Sequence, residues 1–95
     1  MLKHIVLFKL KDNSGKNRSH VTDVLLGMRG KIPELTDFEV GLDVVGADYS
    51  FDVAFVARFP SRQELEGYRE HPLHKEVSRY VKSLSEDYVK VDYEL

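Results

Sequence analysis

The sequence predicts a single α+β domain with the element order β-α-β-β-α-α-β. Three observations carry this reading. Four segments alternate apolar and polar residues with the period of two that strands require, other segments repeat apolar residues at helical spacing, and no linker, repeat or low-complexity tract divides the chain. At 95 residues the chain has room for one core, since domains near this size bury somewhat over roughly 60% of the surface they would expose unfolded.

Composition narrows the function classes. Fourteen basic residues against 16 acidic ones give a formal charge of −2, so no basic excess is available to neutralise a phosphate backbone, and nucleic acid is not an expected partner. The absence of cysteine removes disulfides, thiolate nucleophiles, iron–sulfur ligation and zinc–thiolate sites. No run approaches the roughly 18–20 apolar residues of a membrane span, and the N-terminus passes directly into a charged, alternating segment. The expectation is a soluble, unprocessed, cytoplasmic chain.

From Leu2 to Leu10, His4, Val6, Phe8 and Leu10 fall on one face of a strand and Lys3, Ile5, Leu7 and Lys9 on the other. Lys11 to Arg18 reads as polar turn chemistry. Val21, Val24, Leu25, Met28 and Ile32 then line one face of a helix, with Ser19 as the capping candidate and Pro33 as the terminator. Gly27 and Gly30 each cost that helix about 1 kcal/mol relative to Ala, so it depends on tertiary packing.

Phe38, Val40, Leu42 and Val44 alternate with Glu39, Gly41 and Asp43, a one-sided strand suited to an edge. The turn-rich joint Gly46 to Ser50 predicts an antiparallel hairpin with a strand over Phe51 to Phe59, where Ala54 and Val56 make the reverse face apolar as well. Ser61 and Glu64 form a capping-box signature in which the hydroxyl accepts from the third helical N–H. The helix they open carries Leu65 and Tyr68. Pro72 breaks it and starts another, whose predicted buried set is Leu73, Val77, Tyr80, Val81 and Leu84. Val89, Val91, Tyr93 and Leu95 mark a final strand.

This order fits the split βαβ, ferredoxin-like plan, with both helical layers on one side of a four-stranded sheet ordered 4-1-3-2. The first and third strands, apolar on both faces, would be central. The second face of the sheet is then bare and apolar, more than monomers usually expose, and a second copy of the chain is its expected cover.

The candidate chemistry rests on histidines. His20 reads as a solvated surface residue. His74 falls about 75° from the centre of its apolar stripe, at the core margin, with Tyr68 on the preceding turn. His4 shares the apolar face of Val6 and Phe8 and therefore needs a partner or a pocket. From the residues alone, His4 and His74 are either satisfied structural histidines or members of a site. A metal site at His71 and His74 is disfavoured, because Pro72 interrupts the helix between them and no third ligand is indicated. Neither a nucleophile elbow nor a glycine-rich phosphate loop is present. No cofactor is expected.

The segments Lys3-His4-Ile5-Val6-Leu7-Phe8-Lys9, Asp52-Val53-Ala54, Tyr68-x-x-His71-Pro72-x-His74 and Val91-Asp92-Tyr93 together resemble the stress-responsive dimeric alpha/beta-barrel (Dabb) family, essentially end to end. The resemblance implies a single domain over residues 1–95 and a homodimer whose two sheets form a dimeric α/β barrel. Some members have no assigned reaction, while a related plant polyketide cyclase closes an aldol ring with a histidine and a tyrosine. Its key positions match Tyr68 and His74, and its strand histidine matches His4. The first expectation is therefore a Dabb homodimer with a small-molecule cavity for an apolar or carbonyl-bearing ligand and no assigned reaction. The alternatives are a cyclase-like enzyme with His74 as general base, Tyr68 on the substrate oxygen and His4 assisting, and a purely structural assembly protein. Phe8, Phe55 and Phe59 are candidates for the cavity wall.

Overall fold

The computed structural model describes residues 1–95. Its elements run β1 (Leu2–Leu10), α1 (Gly15–Leu26), β2 (Asp37–Leu42), β3 (Val53–Phe59), α2 (Arg62–Glu70), α3 (Pro72–Ser83) and β4 (Ser85–Glu94). All strand pairs are antiparallel, and the sheet order β2-β3-β1-β4 is the expected 4-1-3-2 read from the other edge. The two-faced strands β1 and β3 occupy the centre and the one-sided β2 an edge.

Register decides which residues meet the helices. On β1 the even-numbered Leu2, His4, Phe8 and Leu10 are buried, and on β3 so are Val53, Phe55, Ala57 and Phe59. Apart from His4, these pack against Val21 and Leu25 of α1, Leu65 and Tyr68 of α2, and Val81 of α3 in one continuous core. The odd-numbered Ile5 and Leu7 point the other way, opposite Val56 and Ala54 on one side and Val91 and Val89 on the other. Nothing in the chain covers that face. Val89 and Val91 are 46% and 52% exposed, although both are strand-forming apolar residues.

Several local expectations are corrected. α1 begins at Gly15, inside the segment read as a turn, and its cap is Ser14 rather than Ser19; the Ser14 hydroxyl accepts from the Asn17 N–H at 3.3 Å. The helix stops at Leu26, not at Pro33, because Gly27 caps it and Gly30 turns the chain with φ of 78°. Met28 and Ile32 are nevertheless buried, carried into the core by turns instead of a helix. Val44 lies beyond the end of β2 and is exposed. Tyr80 is not in the core: it is 42% exposed and its hydroxyl bonds the Nε2 of the exposed His20 at 2.7 Å. At α2 the Ser61 hydroxyl accepts from the Gln63 N–H at 3.2 Å, the second helical N–H and not the third, and donates to the Glu64 carboxylate.

Asp52 extends the ladder between β1 and β3. Its N–H donates to the Phe8 carbonyl at 2.9 Å, and its carboxylate accepts from the Leu10 N–H at 2.8 Å. Because this bond is buried, Asp52→Ala leaves a strand donor without a partner, which costs about 1–3 kcal/mol. Urea unfolding should show a loss of that size for Asp52→Ala and a smaller one for Asp52→Asn, whose amide oxygen still accepts.

Candidate functional site

Four elements, β1, β4, α2 and α3, deliver the polar groups of the site. The β1–β4 register sets His4 opposite Asp92, so both side chains rise on the helical face. The His4 Nδ1–H donates to an Asp92 carboxylate oxygen, and the Lys90 ammonium holds the other oxygen at 3.1 Å. An imidazole facing a carboxylate carries its proton on that nitrogen, which fixes the tautomer. Three aromatic rings stand edge-on around His4, with centroids 6.1 Å away at Phe55, 6.4 Å at Phe59 and 6.0 Å at Tyr68.

The second half of the site comes from the broken helix. Ahead of Pro72, His71 is extended, with ψ of 133°, as a residue preceding proline prefers. Its Nδ1 accepts from the Leu73 N–H at 3.1 Å, so His71 serves as the N-cap of α3. That nitrogen is committed to capping, and no group of three or more His, Asp or Glu side chains is arranged to hold a metal ion. The break folds α3 back so that the Tyr68 and His74 rings lie in contact, centroids 4.2 Å apart and planes inclined by 34°. His4, Tyr68 and His74 thus converge, and all three line one cavity of about 540 Å³ between the sheet and the helices. This volume is within the range of small-molecule sites. Phe8, Phe55, Leu25 and Met28 form its apolar wall; Phe59 does not reach it and belongs to the core.

Burial controls the charge of these groups. It pushes His74 down to about 4, with His4, Lys82, Arg69 and His71 adding positive repulsion. His4 is also lowered, chiefly by burial, although Asp92 pulls in the opposite direction. Burial raises the Tyr68 phenol, which stays protonated. For Asp92, burial alone would raise the carboxyl, but the hydrogen bonds from His4 and Lys90 outweigh it and the net direction is down. The Nδ1 of His74 is buried and has no hydrogen-bond partner. A neutral histidine with one ring nitrogen uncommitted, beside a protonated phenol, suits a polar group on a molecule whose remainder is apolar.

Asp92 was not legible as the partner of His4, because its role depends on which strand pairs with β1 and in what register. The available signals were its place on the face of the last strand opposite Val91 and Tyr93 and its position in the Val91-Asp92-Tyr93 segment. The capping role of His71 was equally hidden, since histidine is not a usual cap.

The family model described as the stress responsive A/B barrel domain (Dabb) matches residues 2–95. The chain belongs to this family. An uncharacterized protein of Streptomyces coelicolor is 28% identical to the Dabb chain over 78 residues, which are 79% of this chain and 80% of that protein. A dimeric ferredoxin-like protein of unknown function from Thermobifida fusca superposes with a TM-score of 0.84 at 27% identity, covering 99% of this chain and 90% of its own. A hydroxynitrile lyase from Passiflora edulis shares the fold with a TM-score of 0.85 at 19% identity, covering 99% and 92% respectively.

The two histidines give the Dabb domain a defined pH response. Both have folded-state pKa values below the unfolded value of about 6.5. Below pH 6.5 the unfolded state therefore binds more protons, and stability falls as the pH drops toward about 4. Asp92 adds nothing in that window, because its contribution is lost only below about 3.8. Urea midpoints should decline from pH 7 to pH 4.5 in the wild type, and the decline should shrink in His74→Phe.

Proposed function

We propose that this chain works as a homodimeric Dabb domain whose cavity binds a small, largely apolar molecule bearing a carbonyl or similar polar group. The observation that carries the binding reading is the convergence of Tyr68, His74 and the Asp92-held His4 in an otherwise apolar cavity of about 540 Å³. Tyr68 donates a hydrogen bond to the ligand oxygen, and the uncommitted His74 nitrogen takes the remaining polar contact. Dimerisation is supported by the uncovered face of Ile5, Leu7, Val89 and Val91 and by the dimeric relative from Thermobifida fusca. The cytoplasm is the compartment that suits a cysteine-free chain of this composition.

A catalytic reading is favoured by the His4–Asp92 pair. A carboxylate behind an imidazole holds its orientation and stabilises the imidazolium that forms when it takes a proton. In this reading His74 removes a proton alpha to a carbonyl, the electron pair moves to the carbonyl oxygen, and the Tyr68 phenol supports the resulting enolate. At pH 7 His74 is neutral and available, but a pKa near 4 makes it a weak acceptor until the enolate charge develops beside it. His4, its ring held by Asp92, assists from the same cavity.

Two measurements test the proposal. In a thermal-shift screen of apolar ketones and aldehydes, at least one compound should raise Tm in a concentration-dependent way, and the gain should disappear in His74→Ala and Tyr68→Phe. A panel without effect would favour a structural assembly role. In sedimentation the wild type should run as a dimer and Val91→Glu, which places a charge on the bare face, as a folded monomer; a monomeric wild type would remove the barrel.

A further inference from the structure

The rim of the cavity has a charge bias that the rest of the chain lacks. Over the whole sequence acidic residues outnumber basic ones, 16 to 14. Among the charged residues lining the cavity the balance is reversed: Arg69, Lys75, Lys82 and Lys90 stand against Glu70 alone. Three of the four cations already have a carboxylate. Arg69 pairs with Glu66 at 3.3 Å, Lys75 with Glu70 at 3.2 Å and Lys90 with Asp92 at 3.1 Å. Lys82 has none. Its ammonium rests over the Tyr88 ring, 4.9 Å from the centroid, and Tyr88 lines the same cavity. A cation held by an aromatic face keeps its charge available while its position is restrained.

Position along α3 gives the spacing. His74, Val77, Ser78 and Lys82 all face the cavity. His74 and Lys82 are eight residues apart, roughly 12 Å at the 1.5 Å rise per residue. Val77 and Ser78 face the cavity between them, and Val6, Phe8 and Met28 add apolar wall. The cavity therefore joins the hydrogen-bonding groups of Tyr68 and His74 to one uncommitted positive charge about two helical turns further along α3, with apolar side chains contributing to the same wall.

We propose that the ligand of this cavity is a monocarboxylate with an apolar body, its carboxylate held by Lys82 and its far end reaching Tyr68 and His74. This rests on the reading of the cavity as a ligand site and adds the ligand's charge and orientation. One unpaired cation matches one negative charge. A diphosphate or another polyanion would have to break the three existing ion pairs to be neutralised.

Decanoate, decanol and decylammonium test the charge with the body held constant, using calorimetry together with histidine NMR shifts. Decanoate should bind at least tenfold tighter than decanol at low salt, with the margin shrinking as salt rises, and decylammonium should bind more weakly than either. In Lys82→Gln the margin should fall below threefold with decanol affinity unchanged, and Lys82→Arg should retain it. Decanol binding as tightly as decanoate, or a margin that survives Lys82→Gln, would overturn the proposal while leaving the cavity reading intact. If none of the three bound and the His4 and His74 signals stayed in place, the cavity reading would fall and the proposal with it.

Discussion

The register of β1 between its two antiparallel neighbours is the constraint on which everything else rests. Because side chains alternate along a strand, the same pairing that sends Phe8 and Leu10 into the core sends Ile5 and Leu7 to the bare face. A slip of one residue would exchange the two sets. It would also move His4 out from under the helices and away from Asp92. Fold, uncovered face and polar site are consequences of one alignment, and Asp52 helps to pin it by extending the ladder past the end of β3.

The site is built by opposing pressures. A histidine on an apolar strand face is tolerated only with a partner, and Asp92 supplies one from the neighbouring strand. His74 lacks such a partner at Nδ1 and is kept neutral by burial. The two imidazoles are thus different chemical objects in one cavity, one anchored through a carboxylate and one available. That difference follows from what each ring faces, a carboxylate on the neighbouring strand for His4 and a buried, unpartnered edge for His74.

Much of this was legible from residue order. Period-two alternation located the four strands, their two-faced or one-sided character placed them in the sheet, and Pro72 located the break between α2 and α3. The apolar face around His4 and the Tyr68–His74 spacing mark three residues that line one cavity in the fold. What escaped the sequence has physical reasons. Met28 and Ile32 kept helical spacing although the chain there is turned by Gly30, because a compact turn can bury the same side chains as a helix. Ser14 outcompeted Ser19 because capping depends on where the backbone leaves the extended region, which composition does not reveal. Tyr80 matched an apolar stripe, yet its hydroxyl has a partner at the surface in His20. The pairing of Asp92 with His4 and the place of Lys82 over Tyr88 needed tertiary structure, since both are set by what lies opposite them.

The proline between His71 and Leu73 does more than end a helix. In an uninterrupted α-helix, residues six apart lie roughly 120° away from each other around the axis. Tyr68 and His74 would then look out in different directions, yet here their rings touch. The contact belongs to the break, and the break belongs to a residue that carries no functional group of its own. A relative that kept both rings but lost the interruption would retain the parts of this site without their arrangement. Inheritance of this arrangement is therefore tied to a backbone feature as firmly as to the side chains that meet there.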